Sequence, residues 1–526
     1  MNTGHLFSRL KEIGVTRWVV APGSRSAPLI LGAQMAGMPE PVIAADERSA
    51  AFVALGWAEQ SGLPVAVITT SGSATQNLGP AITEAFYRGL PLLALTADRP
   101  ADRIGQEEGQ SMPQPGLFTE ITAARFSFAG EDEPETLDAA FPFLLKALGE
   151  GPVHVNMAFR EPLYEKPHPF SADPLPALPP LNSSLPDFSK LKTSGKILIL
   201  AGQLPPTFPK DSVGLFHQKH VPVVADITSN LPAAWVGLGN LAGKFSPDLL
   251  PDEVWILGRT LLWRQWGTFL SEQKNLKVFE IRPDGKCLQR FPQLPAETIT
   301  TSFHDFLTYV KENVKGEEAY FRHFETAYHT IRENRRKMEL SPESDLAFVR
   351  KLMHVLPQNV HLHLANSLSV RYADLFANQG FNSAVYANRG VSGIDGCLST
   401  VVGHAIANPK QHHVLLIGDQ ALTYDNNGFW VNPRPTNLTI VLLNNQGGQI
   451  FNVIQGPSTV QGYEKSFLNS ENRSFEWMAS RYQLPYQQIQ HPDELTDSLL
   501  LQAPGLIEIK TEPEEGRKDF RTLQEW

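Results

Sequence analysis

Cysteines, long apolar runs and basic clusters are all scarce in this sequence. Its 526 residues include two cysteines, Cys287 and Cys397, whose spacing excludes a disulfide scaffold and a cysteine-rich zinc site. No apolar stretch reaches the roughly 18 residues of a membrane span, and Met1 to Thr16 lacks a signal-peptide core. The formal net charge of −10 argues against nucleic acid as a partner. We therefore predict a cytoplasmic protein with reduced thiols.

What the chain does contain is a repeated alternation of short apolar runs, polar loops and helical segments. Such a pattern predicts an α/β fold in which helices cover both faces of parallel sheets. The length suggests about three domains. We place them at 1–160, 191–340 and 341–526, with a proline-rich linker at 161–190.

The stretch from 412 to 451 contains two apolar runs that the rest of the chain is organised around. Val414 to Ile417 and Leu438 to Leu443 are short, rich in β-branched residues and bounded by turn residues. They are typical of buried parallel strands, and their separation suits a strand–helix–strand crossover. Open α/β folds bind ligands at the carboxyl ends of such strands.

Both of these predicted strands end in residues that suit a hard metal ion. The first ends at Gly418-Asp419, and the second at Asn444-Asn445, followed by Gly447. A carboxylate, an amide oxygen and a backbone carbonyl are suitable ligands for a Mg²⁺ that also holds phosphate. Taken singly, each motif is also an ordinary turn.

The first predicted domain contains two more candidate features. The loop from Pro22 to Pro28 follows a strand and exposes backbone N–H groups and hydroxyls beside Arg25, which favours an anion. Its plainer interpretation is a strand–helix connection with an exposed arginine. Glu47 lies in the first turn of a helix, where an acidic residue also simply complements the helix dipole.

Several motifs occur in an order that resembles one enzyme family. They are PGSRS-x-P, DER, TSG-x-AT-x-N, LTADRP, QPGLF, NSL-x-VR, NRG-x-SGIDG-x-LST, GD, YD and NN-x-GGQIF. Together they resemble the thiamine-diphosphate-dependent enzymes of the decarboxylase type, and most closely their menaquinone-pathway synthases. The resemblance implies three doubly wound parallel-sheet domains: a pyrimidine-binding domain, a central domain and a diphosphate-binding domain. It is faint in the central domain.

The resemblance also implies a cofactor, a metal and the residues that bind them. The cofactor is thiamine diphosphate, activated by Glu47, and the metal is Mg²⁺ or Mn²⁺, bound by Asp419, Asn445 and the carbonyl of Gly447. The remaining residues implied to contact the cofactor are Ser71, Gly72, Arg389, Ile394, Gln449, Ile450 and Phe451.

The implied reaction is a transfer in which 2-oxoglutarate loses CO₂ and its succinyl unit adds to isochorismate in a 1,4 fashion. Both substrates carry two carboxylates, which arginine binds bidentately. Arg264 stands where the family often has a lysine. The residues implied to act in catalysis or to bind substrate are Ser24, Arg25, Glu47, Arg99, Gln110, Arg264, Ser367, Arg371, Arg389, Ile450 and Phe451. The family further implies a homodimer or homotetramer with active sites at the subunit interface.

Two alternatives remain open. One is another thiamine-diphosphate enzyme, such as an acetolactate-synthase-like or oxalyl-CoA-type lyase, which would share Glu47, Asp419 and Asn445 but not the arginines. The other is a non-catalytic cofactor-binding homologue, favoured only by the altered central domain. A nicotinamide dehydrogenase is disfavoured because no G-x-G-x-x-G follows any predicted strand.

Overall fold

The computed structural model describes residues 2–166, 186–205, 208–232, 234–273, 275–286, 295–377, 381, 383–454 and 456–525. These residues fall into two compact units. The first unit lies within 1–181, 388–413 and 421–438, and the second within 182–387, 414–420 and 439–526.

Residues 2–166 alternate strands and helices. The strands are β1 (Arg17–Val20), β2 (Val42–Ala44), β3 (Val65–Thr69), β4 (Leu92–Asp98), β5 (Ala124–Ala129) and β6 (Val153–Ala158). They pair in parallel in the order β2-β1-β3-β4-β6-β5. The helices are α1 (Thr3–Glu12), α2 (Ala27–Met35), α3 (Glu47–Ser61), α4 (Ser73–Gln76), α5 (Gly79–Arg88) and α6 (Pro134–Leu148).

The described residues between 186 and 340 form a second parallel sheet. In chain order the elements are β7 (Ser194–Gly195), β8 (Ile197–Ala201), α7 (Ser212–Gln218), β9 (Val223–Ala225), β10 (Trp235–Val236), β11 (Glu253–Leu257), α8 (Gln265–Ser271), β12 (Lys277–Arg282), β13 (Glu297–Thr300), α9 (Phe303–Asn313), β14 (Lys315–Gly316) and α10 (Glu318–Lys337). The sheet order is β10-β9-β8-β11-β12-β13, and β7 pairs with β14.

The last part of the chain forms a third sheet, in the order β16-β15-β17-β19-β21-β20. Its elements are α11 (Asp345–Val355), β15 (His361–Leu364), α12 (Leu368–Phe376), β16 (Ala384–Tyr386), α13 (Cys397–Ala407), β17 (His413–Gly418), α14 (Asp419–Tyr424), β18 (Val431–Asn432), β19 (Leu438–Asn444), α15 (Ile450–Val453), α16 (Glu476–Tyr482), β20 (Tyr486–Ile489), α17 (Asp497–Leu500), β21 (Gly505–Lys510) and α18 (Pro513–Glu525).

Helices α3 and α13, both in the first unit, pack with their backbones in close contact. A β-carbon on Gly56 would lie 1.9 Å from the Thr400 carbonyl oxygen, and one on Gly403 would lie 2.1 Å from the Val53 carbonyl oxygen. Glycine is therefore required at both positions, since real β-carbons keep a full van der Waals separation. This contact fixes α13, and with it the loop that precedes it.

The α/β fold with parallel sheets confirms the predicted fold class. Two details differ from the sequence prediction. The sequence from Gln76 to Tyr87 predicts a single helix, whereas in the structure α4 ends at Gln76 and α5 begins at Gly79, because Pro80 starts a new first turn. The crossover between β17 and β19 is not a single helix: after α14 the chain adds β18, antiparallel to β2, to the first sheet.

The predicted linker lies largely outside the described residues, as does Cys287. Its described ends, 161–166 and 186–190, contain no helix or strand. Cys397 is buried, and its thiol donates to the Gly393 carbonyl at 3.7 Å. The predicted domain boundaries stay predictions.

Candidate active site

Loops at the carboxyl ends of β1, β3 and β4 bring several predicted residues together in the first unit. Gly72, with φ +84°, lies directly beneath Gln110: a β-carbon there would lie 3.0 Å from the Gln110 α-carbon. The Gly72 N–H donates to Gln114 Oε1 at 2.8 Å. Ser71 is buried, and its hydroxyl has no partner among the described residues. The irregular segment from 105 to 118 is thus anchored over the Ser71-Gly72 turn.

Arg25 and Arg99 lie close enough at this edge to repel each other. Burial, and then the charge of Arg99, lowers the pKa of Arg25. Arg25 donates to the Phe159 carbonyl at 2.5 Å and to Glu161 at 3.0 Å. Arg99 pairs with Glu108 at 2.7 Å. The two guanidiniums therefore lie near each other at this edge, and each is paired with a glutamate that an incoming carboxylate would have to replace or join.

Ser24 is exposed beside these arginines. Its hydroxyl lies 2.8 Å from the Tyr164 hydroxyl. The structure therefore places Ser24, Arg25, Ser71, Gly72, Arg99 and Gln110 in the neighbouring loops of one sheet edge.

Glu47 is the first residue of α3, and its two neighbours, Asp46 and Arg48, are held in place by contacts with other side chains. Asp46 caps the helix by accepting the Ser49 N–H at 3.0 Å and also accepts Asn427 Nδ2 at 2.9 Å. Arg48 lies over the Tyr424 ring, 4.6 Å from its centroid. The Glu47 carboxylate itself accepts Asn77 Nδ2 at 3.3 Å. Its position is thus fixed while its side chain stays half-exposed.

Arg48 also lies 3.5 Å from Asp425, a completely buried carboxylate. Asp425 accepts both the N–H and the hydroxyl of Ser399, at 2.7 and 2.6 Å. Burial raises the pKa of Asp425 to about 7, against the opposing effect of these partners. The start of α3 is therefore tied to the start of α13.

The loop that precedes α13 carries Arg389 and Ile394 and is held by Glu84. The two carboxylate oxygens of Glu84 accept the N–H groups of Gly390 and Val391 at 2.7 and 2.8 Å. Arg389 is buried and Ile394 half-buried.

Glu84 belongs to a buried network. Arg88 lies 3.8 Å from it and also pairs with Glu59, which in turn contacts His404 Nε2 at 3.1 Å. Burial raises the pKa of Glu84, whereas Arg88 and His404 hold the pKa of Glu59 at about 2 in spite of its burial. The network links α3, α5 and α13 to the loop.

In the second unit, Asp419, Asn445 and Gly447 meet at the carboxyl ends of the neighbouring strands β17 and β19. Burial raises the pKa of Asp419 to about 6, although the N–H groups of Gln420 and Gly447 point at its carboxylate and act in the opposite direction. Asn445 donates its Nδ2 to Asp345 at 2.9 Å, which turns its Oδ1 the other way. The three residues lie together, as the resemblance implies.

Gly447 is required by its surroundings. It has φ +126°, and a β-carbon there would lie 2.4 Å from the Leu468 carbonyl oxygen. Its own carbonyl accepts the Gln449 N–H at 2.9 Å, which leaves one lone pair. Gln449 and the half-buried Ile450 and Phe451 follow directly, and the Phe451 ring lies 5.3 Å from that of Phe467.

Ser367 and Arg371 lie after β15, which is adjacent to β17. Ser367 has φ +72°, an unusual conformation for a residue other than glycine, and its carbonyl accepts Arg371 Nη1 at 2.6 Å. Strained backbone of this kind is frequent at functional sites. The edge that carries Asp419 therefore also carries this arginine.

Arg264 is exposed and directly precedes α8. Among the described residues, it forms no hydrogen bond with another predicted site residue. Its neighbour Trp263 donates Nε1 to Asp374 Oδ2 at 2.6 Å, and Asp374 also accepts the Ile227 N–H at 2.7 Å. Because Asp374 lies on α12 with Arg371, the Arg264 segment is attached to the helix that carries a predicted substrate residue.

The donor set fits a hard metal and a diphosphate. Among the described residues, no cluster of three His, Cys, Asp or Glu side chains forms a metal site. A metal here would therefore depend on one carboxylate, an amide oxygen and a carbonyl, which suits Mg²⁺ with phosphate completing its shell. The buried carboxylate of Asp419 and the Oδ1 of Asn445 are suited to supply two of these ligands.

Sequence reasoning missed the residues that hold the site in place. Asp345 and Glu84 lie in helices, where no local pattern distinguishes them. Gln114 and Asn77 do lie in motifs: Gln114 is the first residue of QPGLF, and Asn77 is the last residue of TSG-x-AT-x-N.

Comparison with known proteins identifies the family. The family model for the thiamine pyrophosphate enzyme, N-terminal TPP binding domain, matches residues 1–119. A 2-succinyl-5-enolpyruvyl-6-hydroxy-3-cyclohexene-1-carboxylate synthase from Cytophaga hutchinsonii is 34% identical over 93% of this chain and 91% of its own. Synthases of the same name from Desulfotalea psychrophila (33%; 90% of each chain) and Bacteroides fragilis (31%; 100% and 98%) are also similar.

The chain belongs to the 2-succinyl-5-enolpyruvyl-6-hydroxy-3-cyclohexene-1-carboxylate synthase family. It is a thiamine-diphosphate-dependent enzyme of the transferase class that forms a C–C bond, in menaquinone biosynthesis. Membership in this synthase family confirms the resemblance found in the motifs. Among the described residues, no helix is long and apolar enough to cross a membrane.

Proposed function

We propose that the chain decarboxylates 2-oxoglutarate and adds the succinyl unit to isochorismate, releasing 2-succinyl-5-enolpyruvyl-6-hydroxy-3-cyclohexene-1-carboxylate and CO₂. The observation that carries this proposal is the meeting of Asp419, Asn445 and Gly447 at one sheet edge, beside Ser367 and Arg371. The names of the relatives support the product.

Asp419, Asn445 and the Gly447 carbonyl would hold Mg²⁺, or Mn²⁺, and through it the diphosphate. When bound, thiamine diphosphate supplies the carbon nucleophile and the electron sink for the loss of CO₂ from a 2-oxoacid. Asp345 orients Asn445 by accepting a hydrogen bond from its Nδ2, which would leave the amide oxygen available to the metal. Ser71, Gly72, Arg389, Ile394, Gln449, Ile450 and Phe451 are proposed to contact the cofactor.

Glu47 would bind N1′ of the aminopyrimidine ring and hold or share a proton there. Its place as the first residue of α3 supports this role, because Asp46 and Arg48 fix the backbone on either side. Asn77 would then steer the carboxylate.

The arginines would bind the carboxylates of the two substrates. Arg25 and Arg99 already lie near each other at one sheet edge, and an added carboxylate would relieve their repulsion. Arg371 and Arg389 are proposed to act likewise, with Ser24, Gln110, Ser367 and Arg264 as polar partners and Ile450 and Phe451 as apolar walls. Bidentate pairing fixes the orientation of each carboxylate as well as its affinity.

The enzyme is further proposed to act as at least a dimer. By its family resemblance, Glu47 of one subunit would face the diphosphate-binding residues of another. A homotetramer is compatible with the same arrangement.

The test is CO₂ release from 2-oxoglutarate by purified protein with thiamine diphosphate and Mg²⁺, with and without isochorismate. Turnover should require isochorismate and collapse in Glu47→Gln, because the amide cannot replace the carboxylate as a proton carrier. The matched control is Glu40→Gln, which makes the same change at an exposed residue ahead of β2 and should leave turnover intact.

Two results would contradict the proposal. An equal rate of CO₂ release with and without isochorismate would indicate another thiamine-diphosphate 2-oxoacid lyase. No release, with cofactor bound as measured by calorimetry, would indicate a non-catalytic homologue.

A further inference from the structure

A cavity of about 620 Å³ opens in the second unit, and none of the residues that line it is assigned to the reaction. It lies between α10, α11 and the end of α12. Its size falls in the range of pockets that bind small organic ligands. Its lining includes Arg332, Arg335, Leu340, Arg350, Leu375 and Phe376.

Cationic side chains dominate the lining, although the whole chain carries a net charge of −10. Two of them are already neutralised: Arg336 pairs with Glu333 at 2.9 Å, and Lys351 pairs with Asp493 at 3.1 Å. Such exposed pairs add little affinity for a ligand. Arg335 and Arg350 lie in the same lining.

Arg335 and Arg350 form no ion pair within the described part of the chain. Arg335 is buried and donates to the Gly237 carbonyl at 2.6 Å and to Asn240 Oδ1 at 2.8 Å. Its buried Nε has no partner among the described residues. Arg350 donates to the Met338 carbonyl at 2.7 Å. Both guanidiniums thus meet neutral oxygens, although guanidinium pairs best with an anion.

The electrostatic cost of this arrangement is visible in the pKa of Arg335. Burial lowers that pKa to about 10, Asp374 acts in the opposite direction, and the nearby Arg332 lowers it further. Burial likewise lowers the pKa of Arg350. An anion in the cavity would remove part of this cost.

Part of the wall is apolar. Leu340, Leu375 and Phe376 contribute to this part. Apolar surface beside the guanidiniums of Arg335 and Arg350 favours a ligand with both a charged group and a hydrocarbon body.

We propose that this cavity is a second binding site, for a small organic anion. Its carboxylate or phosphate group pairs with Arg335 and Arg350, and its apolar part lies against Leu340, Leu375 and Phe376. The site is separate from the proposed reaction and does not depend on it.

The test is isothermal titration calorimetry on the full-length protein saturated with thiamine diphosphate and Mg²⁺, which fills the diphosphate site. The probes are phenyl phosphate, benzoate, inorganic phosphate and benzyl alcohol. Phenyl phosphate or benzoate should bind once per chain, at least about tenfold tighter than inorganic phosphate or benzyl alcohol, and the tighter of the two identifies the charged group.

Substitutions of single arginines test whether the probe binds in this cavity. Arg350→Gln should weaken it by at least about tenfold, as expected when one of two charged contacts is lost. Arg350→Lys keeps the charge and should retain most of the affinity, and Arg371→Gln should change nothing. The control is Arg322→Gln on α10, the helix that carries Arg335; there the exposed guanidinium pairs with Glu325 and does not line the cavity.

The proposal fails if neither aromatic anion binds at millimolar concentration. It also fails if inorganic phosphate binds equally well, or if Arg322→Gln weakens binding as much as Arg350→Gln. None of these results bears on CO₂ release, so the site and the reaction are tested independently.

Discussion

At the scale of single residues, buried and half-buried carboxylates position the groups proposed to act on cofactor and substrate. Asp345 orients Asn445, Asp46 caps the helix that begins with Glu47, and Glu84 holds the loop before α13. A buried carboxylate that accepts backbone N–H groups fixes a loop more firmly than neutral acceptors do, because each such bond is charge-assisted.

Glu84→Gln tests this role. Glutamine offers one acceptor oxygen where the carboxylate offers two, so one of the N–H groups of Gly390 and Val391 would face an NH₂ group. We expect kcat/KM to fall by about tenfold or more, equivalent to roughly 1.4 kcal/mol, because Arg389 and Ile394 lose their fixed positions. Hydrogen exchange at 388–396 should quicken in the same variant.

The control for this prediction is Glu150→Gln, which makes the same change at an exposed turn in the first unit. It should leave both kinetics and exchange unchanged. Reduced stability of Glu84→Gln with unaltered kinetics at low temperature would show that Glu84 supports the fold alone.

The same contrast shows what the sequence can predict at this scale. Glu47, Asp419 and Asn445 could be predicted because each follows a recognisable strand within a motif. Glu84 and Asp345 could not, since a glutamate or aspartate in an amphipathic helix is usually solvated, and only the tertiary structure buries these two.

At the scale of elements, the α3–α13 contact fixes the geometry of both the Glu47 helix and the Arg389 loop. Gly56→Ala places a methyl group against the Thr400 carbonyl, at a separation of 1.9 Å before any adjustment. The helices must move apart, so we expect the free energy of unfolding to fall by about 2–3 kcal/mol. Chemical denaturation monitored by circular dichroism measures this change.

Gly214→Ala is the matched control, because Gly214 lies in helix α7 with open space around its missing β-carbon. There alanine should be neutral or slightly stabilising, since it lowers the entropy of the unfolded chain. Equal losses at both glycines would mean that helix packing at Gly56 is not the cause.

Elements were predicted better than their connections. β17 and β19 could be predicted from their apolar runs, because a parallel strand that is buried on both faces consists of apolar residues without alternation. The pairing of β18 with β2 at the edge of the first sheet could not be predicted. Val431–Asn432 is too short to show a hydrophobic pattern, and its partner strand is far away in the sequence.

At the scale of the whole molecule, the residues proposed to activate the cofactor and those proposed to bind its metal belong to different compact units. Glu47 is part of the first unit, and Asp419 and Asn445 are part of the second. The proposed dimer requires each active site to take Glu47 from one subunit and the metal ligands from the other. A test of this shared site therefore needs two different variants in one dimer.

Two inactive variants should therefore restore activity when they share a dimer. Glu47→Gln and Asp419→Ala should each be inactive alone, because one lacks the proton carrier and the other a metal ligand. A mixed dimer places both substitutions in one site and leaves the other intact, so the purified mixed dimer should have about half of wild-type activity. Co-expression with two affinity tags, followed by CO₂-release assays on the mixed species, measures this recovery. The control pairs Glu47→Gln with Glu47→Ala, which cannot produce an intact site. Recovery no greater than in that control would mean that each site is built from a single chain.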